Sequence, residues 1–265
     1  MLTLADIREN AEVTHYLDRA DGVLESIGYT EHGRRHANVT AQRARAVVEA
    51  LERPERQCEL AGIAAYLHDI GNIVNRDHHA QSGAAIAHGL LRDAGLSIEE
   101  TIEVVTAIGH HHETDGAPVS DIAAALILAD KSDVHRSRVR DKAMIHLDIH
   151  DRVNYAVTRS SLKVVGPHEA KELKGERGNG NDVGDTNSSP SATMQDMAQF
   201  TASDYAEGET SETKPVITLA LTIDTKISPV MEYFEIFLPR MVLSNRAADR
   251  LGAVYKLVIN ETPLM

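Results

Sequence analysis

The chain has 265 residues, of which 42% are hydrophobic and 25% are charged, and its formal net charge is −13. This composition predicts a folded protein with one sizeable core, and the acidic excess argues against general binding to nucleic-acid backbones, which depends on clustered Lys and Arg. No apolar run approaches the roughly 20 residues of a membrane span, and the charged N-terminal residues and the single Cys58 lead us to expect a cytoplasmic protein.

Up to residue 150 the apolar side chains recur at helical intervals, and Gly or Pro separates the runs. Ser97 with Glu100 three residues later is typical of a helix N-terminus. We therefore expect residues 1–150 to form an almost entirely helical domain. Its predicted helices cover residues 4–27 (one or two helices), 30–51, 55–70, 79–94, 97–110 and 122–149.

The pattern changes near Val153. Residues 153–165 alternate moderately and are rich in β-formers, so segment 151–166 is predicted to hold the first strand of a C-terminal domain. Residues 167–214 lose nearly all hydrophobicity and are predicted to be a disordered acidic linker. Segment 215–265 completes the domain. We predict strands at 215–224 and 254–259 and a helix at 231–251. The fold class is thus mainly α: an all-helical bundle followed by a small α+β domain of about three strands and one helix, interrupted by the linker.

Histidine is the outlier in the composition, with 14 residues in all, most of them between His32 and His135. His68 and Asp69 adjoin at the end of an apolar helical run. Further nitrogen and oxygen ligands stand at His36, His79, His110, His111, His112 and Asp130. Because no thiolate lies nearby, these residues point to an open site for a divalent metal, with iron, manganese, cobalt, nickel or magnesium as candidates.

The order His36, His68-Asp69, Asp130 resembles the four-ligand signature of the HD superfamily of metal-dependent phosphohydrolases, an all-helical fold. The resemblance covers roughly residues 30–145. The local motifs are His68-Asp69-Ile70-Gly71, His79-Ala80-Gln81-Ser82-Gly83, His111-His112-Glu113 and Ala129-Asp130-Lys131. The second and third of these are similar to the additional histidines of the two-metal branch.

The resemblance implies that four residues hold a first metal: His36, His68, Asp69 and Asp130. It implies that His79, His111 and His112 complete a second metal site, with His110 as an open alternative within the triple histidine.

Two departures restrict the substrate. Asn72 stands where cyclic-dinucleotide phosphodiesterases with a Gly-Tyr-Pro signature have Lys, and 117–119 read Ala-Pro-Val in place of that signature. The Glu-Asp pair of alarmone hydrolases is missing as well. Neither substrate class is favoured.

A two-metal site would lower the pKa of a bridging water and clamp phosphate oxygens. We therefore expect a phosphate ester or anhydride of a nucleotide-like small molecule to be cleaved by a metal-activated hydroxide, with Asp69 as the bridging carboxylate. Asp69 and Lys131 are the predicted catalytic residues. Five cations are placed to neutralise the substrate phosphate: Lys131, Arg136, Arg138, Arg140 and Arg76. Of these, Lys131, Arg136 and Arg76 are the predicted phosphate ligands.

Two other functions fit the same residues. A mixed-valent di-iron oxygenase could use the same ligand set, and a regulatory module could sense a metal or nucleotide without turnover. Dimerisation through the edge of the C-terminal sheet is a further hypothesis.

Overall fold

The computed structural model describes residues 1–166 and 214–265, so the predicted linker lies outside the described residues apart from Lys214. The chain is mainly α, as predicted, and the helical part precedes a small sheet. The helices are α1 (Leu4–Glu9), α2 (Ala11–Ser26), α3 (Arg34–Ala50), α4 (Glu55–Leu67), α5 (His79–Asp93), α6 (Ile98–Gly109), α7 (Asp121–Ser132), α8 (Ile149–Ala156) and α9 (Val230–Arg250). None of the helices in these two described ranges is long and apolar enough to cross a membrane.

Polar side chains cap several of these helices at their first turn. The Ser97 hydroxyl accepts a hydrogen bond from the Glu100 backbone N–H at 3.2 Å, which confirms the predicted start of α6. Asn10 caps α2 in the same way through the N–H groups of Glu12 and Val13. These local signals explain why most helix boundaries agree with the sequence pattern.

The prediction of one helix over 122–149 is wrong. Helix α7 ends at Ser132, and two short 3-10 turns, Arg136–Arg138 and Lys142–His146, precede α8. The helix stops because Asp133 leaves helical geometry and its carboxylate accepts from Arg35, 98 residues away in sequence, at 2.9 Å. Long-range charge pairs outweigh the helical propensity of this segment.

In the described residues the C-terminal sheet has four strands, one more than predicted. They are β1 (Val157–Val165), β2 (Val216–Ile223), β3 (Val254–Ile259) and the two-residue β4 (Thr262–Pro263), in the order β1-β2-β3-β4. The predicted strand start at residue 153 is also wrong, because α8 continues to Ala156. Asp148 caps that helix by accepting from the backbone N–H groups of His150 and Asp151, a signal that the strand propensity of the following residues obscured.

Helix α9 connects β2 to β3, which run parallel, so it crosses over one face of the sheet. It also packs against α7 and buries Tyr233, Phe237 and Met241. The helical part and the sheet share one contiguous hydrophobic core, from Leu4 to Ile259. The division into domains 1–150, 151–166 and 215–265 stays a prediction.

Strand β1 is also fastened to the end of α7. Arg43 donates to the Ser132 hydroxyl at 2.9 Å and to the Ser160 carbonyl at 2.8 Å. The Ser160 hydroxyl donates to the Ser132 carbonyl at 2.5 Å. The sheet is thus bonded directly to the helix end that carries Asp130.

Two glycines allow the turn after α4 to approach α5. A Cβ added to Gly71 would overlap the His79 carbonyl oxygen and the Gly83 nitrogen. Only a residue without a side chain fits this contact between backbones. The contact brings His68 and Asp69 next to the first turn of α5, where His79 lies.

We expect Gly71→Ala to lower the free energy of unfolding by about 3 kcal/mol or more, because the new methyl group overlaps the backbone of α5. Gly89→Ala is the matched control, since Gly89 lies within α5 and a Cβ added there has nothing within 4 Å, and it should be neutral or stabilising by about 0.5–1 kcal/mol. Urea denaturation monitored by circular dichroism measures both. Equal stability of the two variants would contradict the close backbone contact.

Candidate metal centre

Four buried histidines and one buried aspartate, which lie on or next to five different helices, come close together. His36 lies on the first turn of α3, His68 caps the C-terminus of α4, and His79 is the first residue of α5. His111 follows the end of α6, and Asp130 lies near the end of α7. All five side chains are buried. The helix packing therefore assembles residues that are almost a hundred positions apart in sequence.

A first group consists of His36, His68 and Asp130. The two Nε2 atoms lie 3.2 Å apart, and the Asp130 Oδ1 lies 3.3 Å from His36 Nε2 and 3.6 Å from His68 Nε2. Imidazole nitrogens and carboxylate oxygens bind divalent metals at about 2.0–2.2 Å, so neighbouring ligands of one ion have separations of this size. These three residues could hold one metal ion.

A second group contains His79 and His111, whose Nε2 atoms are also 3.2 Å apart. The ring of His112 lies 4.8 Å from that of His79, between ring centres, and is more exposed. His110 occupies the C-cap of α6. Of the three consecutive histidines, the structure thus brings His111 and His112 together with His79.

Asp69 lies between the two groups. Its Oδ2 atom is 3.2 Å from His68 Nε2 and 3.6 Å from His36 Nε2, while its Oδ1 atom is 3.5 Å from His79 Nε2. Together with His68 and His111 it forms a second set of three residues that could hold a metal. Each oxygen of one carboxylate therefore faces a different set of histidines.

In every buried histidine of the two groups, the Nδ1 atom, which faces away from the site, already has a hydrogen-bond partner. The Nδ1–H groups of His68, His79 and His111 donate to the carbonyls of Ala65, Arg76 and Ile108, respectively, at 2.7–2.9 Å. A carbonyl can only accept, so in the neutral imidazoles the lone pair is on Nε2, which faces the site. Two facing lone pairs repel each other unless a proton or a cation lies between them, so this donor set fits divalent metals.

In His36 the hydrogen bond that leaves the Nε2 lone pair facing the site is made to a side chain and not to a backbone carbonyl. Its Nδ1–H donates to the Asp133 carboxylate at 2.7 Å. Asp133 is 2% exposed and also accepts from Arg35. A carboxylate behind a ligating histidine orients the ring and raises its basicity. The sequence analysis did not assign Asp133 to the site; its position three residues after Asp130 was the available signal.

Charge interactions prepare the site for a cation. Burial would raise the pKa of Asp69, but His68 outweighs it and holds that pKa well below its usual range. Burial likewise opposes ionisation of Asp130, and Lys131 and His36 outweigh it and lower its pKa. For His68 burial lowers the pKa, but the two carboxylates raise it to about 10. Burial lowers the pKa of His79 to about 4. The carboxylates are therefore ionised, and a divalent ion would displace the proton of His68.

The predicted phosphate ligands occupy three different environments. Lys131 donates to Asp130 at 2.7 Å and to Glu113 at 2.6 Å, so its charge is already paired with two carboxylates. Arg76 lies in the site, 4.0 Å from Asp69 Oδ1. The structure does not bring Arg136 together with Lys131 and Arg76. Its guanidinium lies over the ring of Tyr155, 5.2 Å from the ring centre.

A cleft of about 680 Å³ opens beside His79 and His112. The residues that line it come from the loop at 27–30, from the start of α5, from α8 and from α9, and they include His32, Arg138 and Arg240. His32 is buried, and its ring lies 5.6 Å from that of His36. The cleft gives a small molecule access to the second group of histidines.

Comparison with known proteins finds a family match within the helical part of the chain. A family model described as the HD domain matches residues 31–137. An uncharacterized protein of Methanocaldococcus jannaschii is 29% identical over 158 residues, which cover 51% of this chain and 60% of that relative. The chain thus spans less than two thirds of the length of this relative. No solved structure matches. The ordered signature of His36, His68-Asp69 and Asp130 falls inside the range that matches the HD domain model.

Proposed function

We propose that the protein is a metal-dependent phosphohydrolase that cleaves a phosphate ester or anhydride of a nucleotide-like small molecule. The observation that carries the proposal is the position of Asp69, with one oxygen toward His36 and His68 and the other toward His79. Paired metal sites that share a ligand are typical of phosphoryl-transfer enzymes. The HD family, whose members are generally phosphohydrolases, supports the same reaction class.

The residues divide into two ligand sets. One ion would be held by His36, His68, Asp69 and Asp130, and a second by Asp69, His79, His111 and His112. When bound, such ions lower the pKa of a coordinated water and neutralise phosphate oxygens. Iron, manganese, cobalt and nickel suit these nitrogen and oxygen donors, and magnesium is a further candidate.

The protein's own side chains would position the substrate. Arg76 lies 4.0 Å from Asp69 Oδ1 and lines the cleft, so it can donate to a phosphate placed beside the bridging carboxylate. Lys131 holds Asp130 and Glu113 in place and remains a predicted phosphate ligand. The Nδ1–H bonds keep the histidine rings from rotating, so the ligands need little rearrangement.

Phosphate release from a broad nucleotide panel, with Mn²⁺, Co²⁺, Ni²⁺, Fe²⁺ or Mg²⁺, tests the proposal, alongside metal content by mass spectrometry. We expect release from at least one nucleotide and up to two ions per chain. Oxygen consumption with two irons and no phosphate release would favour the oxygenase instead. Metal binding without any turnover would favour a sensing module.

The Asp69→Ala and His68→Ala variants should lose metal and slow phosphate release by roughly a hundredfold or more, because each removes a proposed metal ligand. Metal content and turnover are measured on the same samples. His88→Ala is the matched control, since His88 is exposed on α5, and it should retain both. Full metal content in Asp69→Ala would contradict the bridging role.

The Asp133→Asn variant should weaken metal binding by about 10- to 100-fold while the fold is kept, because an amide no longer fixes the His36 ring as a carboxylate does. Isothermal titration with Mn²⁺ measures the affinity. Asp18→Asn is the control, as Asp18 pairs with the exposed Arg34 next to Arg35. Unchanged affinity in Asp133→Asn would show that Asp133 does not support the metal site.

A further inference from the structure

Three arginines from distant parts of the chain line the cleft beside the metal centre. They are Arg76 in the loop before α5, Arg138 after α7 and Arg240 on α9. The last two lie outside residues 31–137, which match the HD family. None of the three belongs to the two proposed metal-ligand sets.

Hydrogen bonds fix two of the three guanidinium nitrogens of Arg138. It is 3% exposed, its Nε donates to the Glu31 carbonyl at 3.0 Å, and its Nη1 donates to the Asp133 carbonyl at 2.9 Å. Its buried Nη2 has no hydrogen-bond partner among the described residues. An unsatisfied buried N–H of a charged group is costly and calls for a missing acceptor. The nearest carboxylate, Asp133, is shared with His36 and Arg35.

Among the described residues, the carboxylate that pairs with Arg240 is shared with a second cation. Its Nε donates to Glu113 Oε1 at 3.2 Å, but the other oxygen of Glu113 accepts from Lys131 at 2.6 Å. One carboxylate thus faces two cations. The guanidinium carbon lies 4.6 Å from the ring centre of buried Phe237, which restricts its motion.

Arg76 is restrained in the same manner. Its guanidinium carbon lies 5.4 Å from the ring centre of Tyr29, and its Nη1 donates to the Asn72 side chain at 3.2 Å. Three guanidinium groups that are already positioned lose little entropy when they bind an anion.

We propose that Arg138 and Arg240, together with Arg76, form a subsite for a second anionic group of the substrate, next to the phosphate that is cleaved. The substrate class is then a molecule with two linked phosphates, such as a nucleoside diphosphate or triphosphate, rather than a monophosphate. This inference rests on the proposed function. It also gives α9 a direct role in substrate selection.

Acidic side chains also line the cleft and limit where the anion binds. These are Asp77, Asp115, Asp148 and Asp151. They repel phosphate, so an anion is stable only where the arginines outnumber the carboxylates. Glu113 is paired on both of its oxygens and contributes little repulsion.

The test compares two probes that contain no P–O–P bond and so cannot be hydrolysed there. Methylenediphosphonate has two anionic groups, and methylphosphonate has one. Titration calorimetry measures their affinities for the metal-loaded full chain and its variants. We expect Arg240→Gln to weaken binding of methylenediphosphonate about tenfold or more, the worth of one hydrogen bond between charged groups. Its affinity for methylphosphonate and its metal content should change less than about twofold. Arg240→Lys should retain part of the methylenediphosphonate affinity that Arg240→Gln loses.

Arg246→Gln is the matched control, because Arg246 is exposed on the same helix, and it should bind both probes as the wild type does. Arg138→Gln carries the same test if Arg240→Gln does not fold, since Arg138 lines the same cleft. Equal losses for both probes, or no loss for either, would overturn the subsite. Because the probes measure binding alone, a selective loss without any nucleotide hydrolysis would refute the phosphohydrolase and leave the anion subsite standing.

Discussion

The hydrogen bond from each histidine Nδ1–H is the constraint on which the metal centre depends. His68 and His111 lie at the C-terminal ends of α4 and α6, and each donates to the carbonyl three residues earlier. The last carbonyls of a helix have no partner within it, so a histidine at this position can use one of them. His36 lies at the start of α3, where carbonyls are used by the helix, and it needs the Asp133 side chain instead. The backbone thus orients His68 and His111, whereas His36 depends on a carboxylate that lies 97 positions away in sequence.

Alternating charges connect the C-terminal helix to the metal centre. Asp130 pairs with Lys131, Lys131 with Glu113, and Glu113 with Arg240. Burial strengthens these pairs and makes the loss of any one partner expensive, because the remaining charge is left unpaired. The position of α9 is therefore coupled to the orientation of Asp130.

Local signals in the sequence predicted the helical frame and the order of the histidines, because caps, glycines and periodicity are encoded within a few residues. His111 and His112 were preferred over His110 on family resemblance, and the structure places the rings of His111 and His112 5.1 and 4.8 Å from that of His79, between ring centres. Asp133 and Arg240 were not assigned to the site, and Arg138 was not among the preferred phosphate ligands. Their roles depend on contacts with residues far away in sequence, such as the one between Arg240 and Glu113, which are 127 positions apart. The helix predicted over 122–149 failed for the same reason, since long-range pairs of Asp133 end α7.

Half of the residues that line the cleft lie outside residues 31–137, whereas every histidine and aspartate of the metal centre lies within them. Half of the cleft wall is thus encoded outside the stretch of the chain that carries the reactive centre. The loop at 27–30, α8 and α9 can change without altering a single metal ligand. A lineage that retained the central stretch could exchange its flanking segments and acquire a different ligand preference while keeping the same bond-breaking chemistry.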